Sequence, residues 1–369
     1  MSNERLIEEF LTLIQIDSET KYEREIADYL IKRMQGLGLH VKEDSSSRKT
    51  GHAAGNLICT LPASGKDAPP IYFTSHMDTV VPGIGVTPQV TEEWITSDGT
   101  TVLGADDKAG LAVMIEAVER LKEENISHGQ VQFILTAGEE SGLVGARHLD
   151  MNLVDAAYGY ALDSDGEVGT IITAAPNQAK LFVTMHGKKA HAGVAPEKGV
   201  SAIKLAAEAI AAMPLGRIDE ETTANIGRID GGSQTNIVCD KVEIKAEARS
   251  LDREKLQEQV KKMEHALETA ADEGGGRAEI NTQLVYPGYK QSESDQVVHT
   301  AKKAAEAVGR RAVLKQSGGG SDANIIAGHG IPTVNLGVGY ENIHTTEERQ
   351  SIRELQTLAA YVVEIIQTA

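Results

Sequence analysis

Apolar side chains recur at helical spacing over residues 4–16 and again over residues 21–37, where Ile26, Leu30 and Met34 share a stripe, so both segments are expected to be helices. Short apolar runs at residues 41–43, 56–61 and 71–75 read as strands. A long helix is expected from about Asp107, with Leu111, Met114, Ile115, Val118 and Leu121 on one face. Further strands are expected at residues 130–136 and 158–162. Strands alternating with helices predict an α/β layered sheet.

The pattern changes after Pro176. Residues 180–186 read as a strand, 201–213 as a helix, 224–229 and 238–248 as strands, 252–272 as a helix and 279–285 as a strand. This β-α-β-β-α-β order predicts a ferredoxin-like α+β unit. In the helix over 201–213, Ile203, Ala206, Ala207 and Ile210 are expected to face the unit's own sheet. From Ser294 the α/β pattern resumes: a helix, a strand at 312–315, a Gly-rich loop, a helix from Ser321, a strand at 333–335 and a last helix over 346–367. The expected organisation is a discontinuous first domain, 1–176 with 288–369, and an inserted domain, 177–287. Proline and polar residues mark both joins.

A length of 369 residues suits two domains. The net charge of −18 argues against a nucleic-acid partner, which calls for a basic surface. No apolar run is long enough to span a bilayer, so no membrane partner is expected. Residues 1–9 are polar and acidic, unlike a secretory leader, and a cytoplasmic location is expected. The two cysteines, Cys59 and Cys239, stand among apolar residues and read as reduced thiols rather than as a disulfide or a metal site.

Candidate chemistry lies in five short stretches: Ser75-His76-Met77-Asp78, Gly104-Ala105-Asp106-Asp107-Lys108, Gly138-Glu139-Glu140-Ser141, Ala161-Leu162-Asp163 and Asn342-Ile343-His344. Four of them follow an apolar strand or precede an apolar helix, and open α/β sheets build their sites at the carboxyl ends of strands. Carboxylates gathered in one cleft must either take up protons or share a cation. Histidine with carboxylate and no thiolate suits zinc, cobalt or manganese. More than four such ligands point to two ions with a bridging carboxylate. If His76 and Asp78 continue the strand, Asp78 can accept the second ring N–H of His76. Each stretch alone also has a plain structural reading: an ion pair at a strand end, an N-cap at Asp106-Asp107, solvated charge at Glu139-Glu140.

Taken together, SHMDTV at 75–80, GADDKAG at 104–110, TAGEESGLVGA at 136–146, ALD at 161–163, GKKAHAG at 187–193 and IHTTEE at 343–348 resemble the M20 metallopeptidases, and within them the peptidase T-like tripeptidases. The resemblance spans essentially the whole chain. It implies a mixed-sheet zinc-peptidase catalytic domain carrying an inserted lid and dimerisation domain. It implies two divalent ions, zinc first with cobalt or manganese as alternatives. His76, Asp106 and Asp163 would bind one ion, and Asp106, Glu140 and His344 the other. Asp106 rather than Asp107 matches the bridging residue because it stands two before Lys108. Glu139 matches the general base and Asp78 the partner of His76. Asp at 163 matches the aminopeptidases, where acylases and carboxypeptidases usually carry Glu.

In the inserted domain, His191 reads on its own as a surface or hydrogen-bonded structural histidine, but by resemblance it matches a histidine that dimeric relatives lend to the partner's site. Asn236 and Arg249 match residues that hold the substrate carboxylate, a task suited to the planar guanidinium fork. For Arg249 the sequence equally allows an ion pair with Glu247 or Asp252. Gly318-Gly319-Gly320-Ser321-Asp322 reads as a tight turn with Ser321 as N-cap; it lacks a P-loop lysine. The implied activity is hydrolysis of short peptides by an aminopeptidase that forms a homodimer through the inserted domain. A monomer using its own His191 stays open at this point, as do a deacylase or carboxypeptidase with the same metal chemistry and a non-catalytic homologue.

Overall fold

A computed structural model describes residues 2–369, which divide into two compact units. The first takes the chain up to Ala174, with Gln291–Ser317 and Ser321–Ala369. The second is Ala175–Lys290 with Gly318–Gly320. The expected joins were after 176 and 287, and the short return of Gly318–Gly320 was not anticipated.

The first unit is built on a mixed sheet. Its strands run in the order His40–Glu43, Leu57–Leu61, Val131–Thr136, Ile71–His76, Tyr158–Ser164, Thr333–Gly337, Thr170–Ala175, with Val313–Gln316 beside the last. Val131–Thr136, Ile71–His76, Tyr158–Ser164 and Thr333–Gly337 are mutually parallel, so their carboxyl ends open on one edge. Side chains alternate between two buried faces. Ile71 and Phe73 enter the main core, whereas Tyr72 enters a smaller cluster with Ile58, Ile134, Leu149 and Ile326. Burial on both faces explains why these strands read as unbroken apolar runs. The helix Ala105–Glu123 is buried on nearly every side from Ala105 to Val118, because Ser2–Ile14 and Ile352–Thr368 also pack against it.

Thr170–Ala175 was not expected from the sequence. Neither was a small sheet of Tyr340–Glu341, Arg349–Ser351, Trp94–Thr96 and Gln89–Val90. The last helix starts at Ile352 rather than at 346, capped by the Ser351 hydroxyl, which accepts the Glu354 N–H.

The second unit is an antiparallel sheet in the order Gly216–Arg217, Thr222–Gly231, Lys241–Ser250, Asn177–His186, Arg277–Tyr286. Helices Ala202–Ala212 and Arg253–Glu273 bury their apolar stripes with the sheet in one core. The stripe of Ala202–Ala212 is Ala202, Leu205, Ala206 and Ala209. Ile203 and Ala207, expected to face the sheet, are exposed, and Ile210 is half-buried. An alanine-rich helix gives its apolar face a weak phase, and the larger Leu205 sets it. Among the described residues no helix is long and apolar enough to cross a membrane.

Candidate metal centre

His76 is the last residue of its strand, and the parallel strand beside it brings Thr136 level with it. The Gly138–Ser141 turn therefore follows Val131–Thr136 directly alongside His76. Asp163 lies near the carboxyl end of the strand on the other side. Asp106 and Asp107 open the helix Ala105–Glu123 with extended or irregular backbone and a cis peptide between them; Gly104, at φ 76°, supplies a left-handed turn that few other residues adopt. His344 stands in the connection between Tyr340–Glu341 and Arg349–Ser351, itself at φ 63°.

These elements bring the candidate ligands together. His76 Nε2 lies 3.0 Å from Asp106 Oδ1, and His344 Nε2 lies 3.2 Å from Asp106 Oδ2 and 2.9 Å from Glu140 Oε1. Asp106 thus stands between two histidines. Potential ligand atoms of His76, Asp106 and Glu140 all fall within 4.8 Å of one another, and so do those of His76, Asp107 and Asp163. In that second group Asp107 appears where the resemblance implied Asp106.

Asp78 is the partner of His76 at ion-pair distance, but the ring hydrogen bond goes to its main chain. His76 Nδ1 is 2.8 Å from the Asp78 backbone carbonyl and 3.6 Å from its Oδ1. The Asp78 carboxylate instead accepts the backbone N–H groups of Glu139 at 3.0 Å and Glu140 at 3.2 Å. Asp78 therefore orients the imidazole through its main chain and the Glu139–Glu140 turn through its side chain.

Electrostatics follow from this crowding. Burial, reinforced by neighbouring carboxylates, pushes Asp107, Glu139 and Asp163 well above the usual carboxylate range. Hydrogen bonds to Asp106 and then Glu140 raise His344 to about 10. Burial opposes ionisation of Asp106, but hydrogen bonds from His344 and His76 hold its carboxyl well below its ordinary value. Burial would lower His76, yet its acidic partners Asp106 and Asp78 carry it well above normal. The protonated imidazoles supply the positive charge that the acids demand. Among the described residues, Asp107 Oδ2 is one of the buried oxygens without a hydrogen-bond partner, and Asp322 Oδ1 is another. An oxygen-and-imidazole donor set with an orphaned buried carboxylate oxygen fits divalent cations.

Several supporting residues escaped the sequence reading. Glu348 is buried and accepts the N–H groups of Gly104 at 2.8 Å and Asp106 at 2.9 Å; burial raises its pKa to about 7. Lys108 is buried, donates to the Ile16 carbonyl at 2.7 Å, and is lowered by burial to about 7. Asp322 accepts from the Thr136 hydroxyl and is raised by burial to about 6. Tyr340 donates to Asp163 Oδ1 at 3.2 Å, and Asn335 Oδ1 accepts the Asp163 N–H at 2.9 Å. Glu348 and Asp322 stand inside the quoted IHTTEE and GGGSD strings, which was the available signal; Tyr340 and Asn335 had none.

In the second unit, His191 and Asn236 lie together. Ala192 N–H donates to the Asn236 carbonyl at 2.9 Å, and His191 forms a bridge with Ile237. His191 Nδ1 accepts from the N–H groups of Gly193 and Val194, both at 3.2 Å, which places its proton on the exposed Nε2 side. Arg249 is elsewhere. It donates to Glu247 Oε1 at 2.9 Å and to the Gly318 carbonyl at 3.2 Å. Lys241 pairs with His186 but Arg249 with Gln178, so roughly 26 Å of strand separates the two ends at 3.3 Å per residue. The chain from Asp240 back to Asn236 pairs with Gly187–Ala192 beyond that end. Asn236 and Arg249 of one chain therefore stand towards opposite ends of this strand pair.

Residues 173–275 match the M20 peptidase dimerisation domain, and residues 56–191, which include His76, Asp106, Glu139, Glu140 and Asp163, match peptidase family M28. The chain is 62% identical to the uncharacterized protein YqjE of Bacillus subtilis (strain 168), over 100% of this chain and 99% of that protein. It superposes on the crystal structure of aminopeptidase PepT from Bacillus cereus ATCC 10987 with a TM-score of 0.94 and 62% identity, covering 99% and 98% of the two chains. A tripeptidase from Staphylococcus aureus subsp. aureus Mu50 gives a TM-score of 0.96 at 51% identity, with coverage of 99% and 98%.

Proposed function

The chain belongs to the peptidase T-like group of the M20 peptidases, and on that premise we propose that it is a two-metal aminopeptidase acting on short peptides, tripeptides among them. The observation that carries the reading is the double ligand cluster sharing His76, with Glu139 held beside it. His76, Asp106 and Asp163 would hold one divalent ion, with Asp107 close to the same position, and Asp106, Glu140 and His344 the other. Zinc suits this donor set best, cobalt or manganese next. Such ions supply Lewis acidity to a water and to the scissile carbonyl.

The protein's own residues then have separate tasks. Glu139 takes the water's proton and later delivers it to the departing amine, a transfer suited to a carboxyl whose proton affinity is raised by burial. Asp78 holds the Glu139 and Glu140 backbone so that one carboxylate moves protons while its neighbour binds metal. Arg249 receives the peptide's terminal carboxylate. His191 donates from Nε2 to the developing oxyanion.

A tripeptide spans only about 10 Å, so it does not reach both Arg249 and His191 of one chain. This separation supports a homodimer in which Arg249 comes from one protomer, and His191 and Asn236 from its partner. Both cysteines are free thiols, as a cytoplasmic location would keep them. The test is a panel of di-, tri- and tetrapeptides, with free and acetylated N-termini, under defined metals. Preference for free tripeptides supports the proposal; hydrolysis confined to acetylated substrates would make the protein a deacylase.

A further inference from the structure

The turn that carries Glu139 and Glu140 is braced from a segment far away in sequence. Asn56 Oδ1 accepts the Ala137 N–H at 3.2 Å and its Nδ2 donates to the Gly145 carbonyl at 2.9 Å, fixing both ends of the loop. Asp78 holds the Glu139 and Glu140 N–H groups. The remaining part of the turn, Gly138 and Ser141, meets a buried histidine. His52 Nε2 lies 3.1 Å from Ser141 Oγ, and its ring covers Gly138 so closely that a Cβ there would come within 2.3 Å of it. Ser141 Oγ in turn donates to the Gly138 carbonyl at 3.1 Å, so it accepts from His52 Nε2–H. Burial lowers the His52 pKa and favours this neutral form. Glu23, fully buried, lies 3.8 Å from the same nitrogen.

We propose that His52 is a positioning residue for the reaction, its imidazole clamping Gly138 and Ser141 so that Glu139 is held in register with the ligand cluster. The proposal rests on the reading of Glu139 as the proton carrier. Anchors at Asn56 and Asp78 keep the loop in place without His52. What the imidazole adds is the exact path of the backbone between them, and displacements of about 1 Å can cost on the order of 10²-fold in rate.

The experiment compares His52→Leu, His52→Gln and Ser141→Ala, alone and in a Glu139→Ala background, in the metal-loaded protein with a tripeptide substrate. His52→Leu fills the space without the donor, and His52→Gln restores an N–H near the position of Nε2. The expected result is a fall in kcat of about 10- to 100-fold for His52→Leu, with KM and metal content unchanged. Most of that loss should be recovered in His52→Gln. In the Glu139→Ala background, removing His52 should have no additional effect, because residues acting as one unit are not additive. Should His52→Leu fail to fold, Ser141→Ala is expected to show the same loss and the same non-additivity. Wild-type kcat in His52→Leu beside an inactive Glu139→Ala overturns this proposal alone, as does a loss that multiplies with Glu139→Ala or follows lost metal. Full activity of Glu139→Ala overturns the proton-carrier reading and the proposal with it.

Discussion

Glu348 accepts the backbone N–H of Asp106 at 2.9 Å, across 242 positions of sequence and four residues after His344. Its other oxygen takes the Gly104 N–H at 2.8 Å. One buried carboxylate therefore ties the segment of one candidate ligand to that of another. Glu348→Gln replaces one acceptor with a donor that faces an N–H. Metal affinity should fall by roughly 10- to 100-fold, the usual cost of disturbing a partner that orients ligands. Calorimetric titration of zinc into the metal-free protein measures this, and an unchanged affinity would remove Glu348 from that role.

Metal binding and protons should compete at His344. Its folded pKa, about 10, lies above the ordinary 6.5, so its contribution to stability in the metal-free protein is complete below about 6.5. That contribution is lost as pH rises through about 10. A divalent ion needs the neutral imidazole and displaces the proton. Affinity should therefore rise with pH across this window, with proton release on binding. Calorimetry in buffers of different ionisation enthalpy detects the release; a smaller release in His344→Ala than in wild type assigns the share of His344, since His76, Asp107 and Asp163 are also raised and release protons of their own. No release in wild type would rule the competition out.

Glu139→Ala should lower kcat by roughly 10²–10⁴, the range for loss of a general acid–base group, while metal content stays near wild type. Chelation should abolish activity in the unmodified protein, and added zinc should restore it. Metal loss in Glu139→Ala equal to that in Glu140→Ala would make Glu139 a ligand instead.

The ligand segments are legible in the sequence because each carries two chemical signs at once: a His or carboxylate, and an apolar strand or helix beside it. His76, Asp106 and Asp163 stand at such transitions. The setting of His344 is less legible. The strands that flank it, Tyr340–Glu341 and Arg349–Ser351, are too short for an apolar period, and residues 346–351 resemble a helix start. His52, Asn56 and Glu348 act through contacts with residues 81 or more positions away, which no local pattern encodes. The role of the Asp78 side chain also depends on a neighbouring strand, since the N–H groups it binds follow Val131–Thr136.

Arg249 now shares its guanidinium with Glu247 and the Gly318 carbonyl. A substrate carboxylate would compete with Glu247 for the same fork, and the half-exposed ion pair is weak enough to yield. Arg249→Met should raise KM for free-acid peptides by at least about 10-fold, as for loss of a charge-assisted pair. The corresponding C-terminal amides should change much less. Equal losses on both substrates would leave Arg249 with the ion pair as its whole role.

The separation of His191 from Arg249 makes the dimer testable by complementation. His191→Ala removes the proposed oxyanion donor, and Glu139→Ala removes the proton carrier, so each homodimer should be nearly inactive. In a mixed dimer with His191 acting across the interface, one site receives Glu139 from the His191→Ala chain and His191 from the Glu139→Ala chain. That site is intact, and the other lacks both groups. Activity should return towards half of wild type per mixed dimer. If His191 serves its own chain, each mixed site lacks one group and activity stays at the level of the parents. Mixed dimers can be isolated with two affinity tags, so failure to exchange is distinguished from failure to complement. Sedimentation at assay concentration supplies the remaining control: a monomer with full activity would exclude the shared site, because no partner is then present to lend His191.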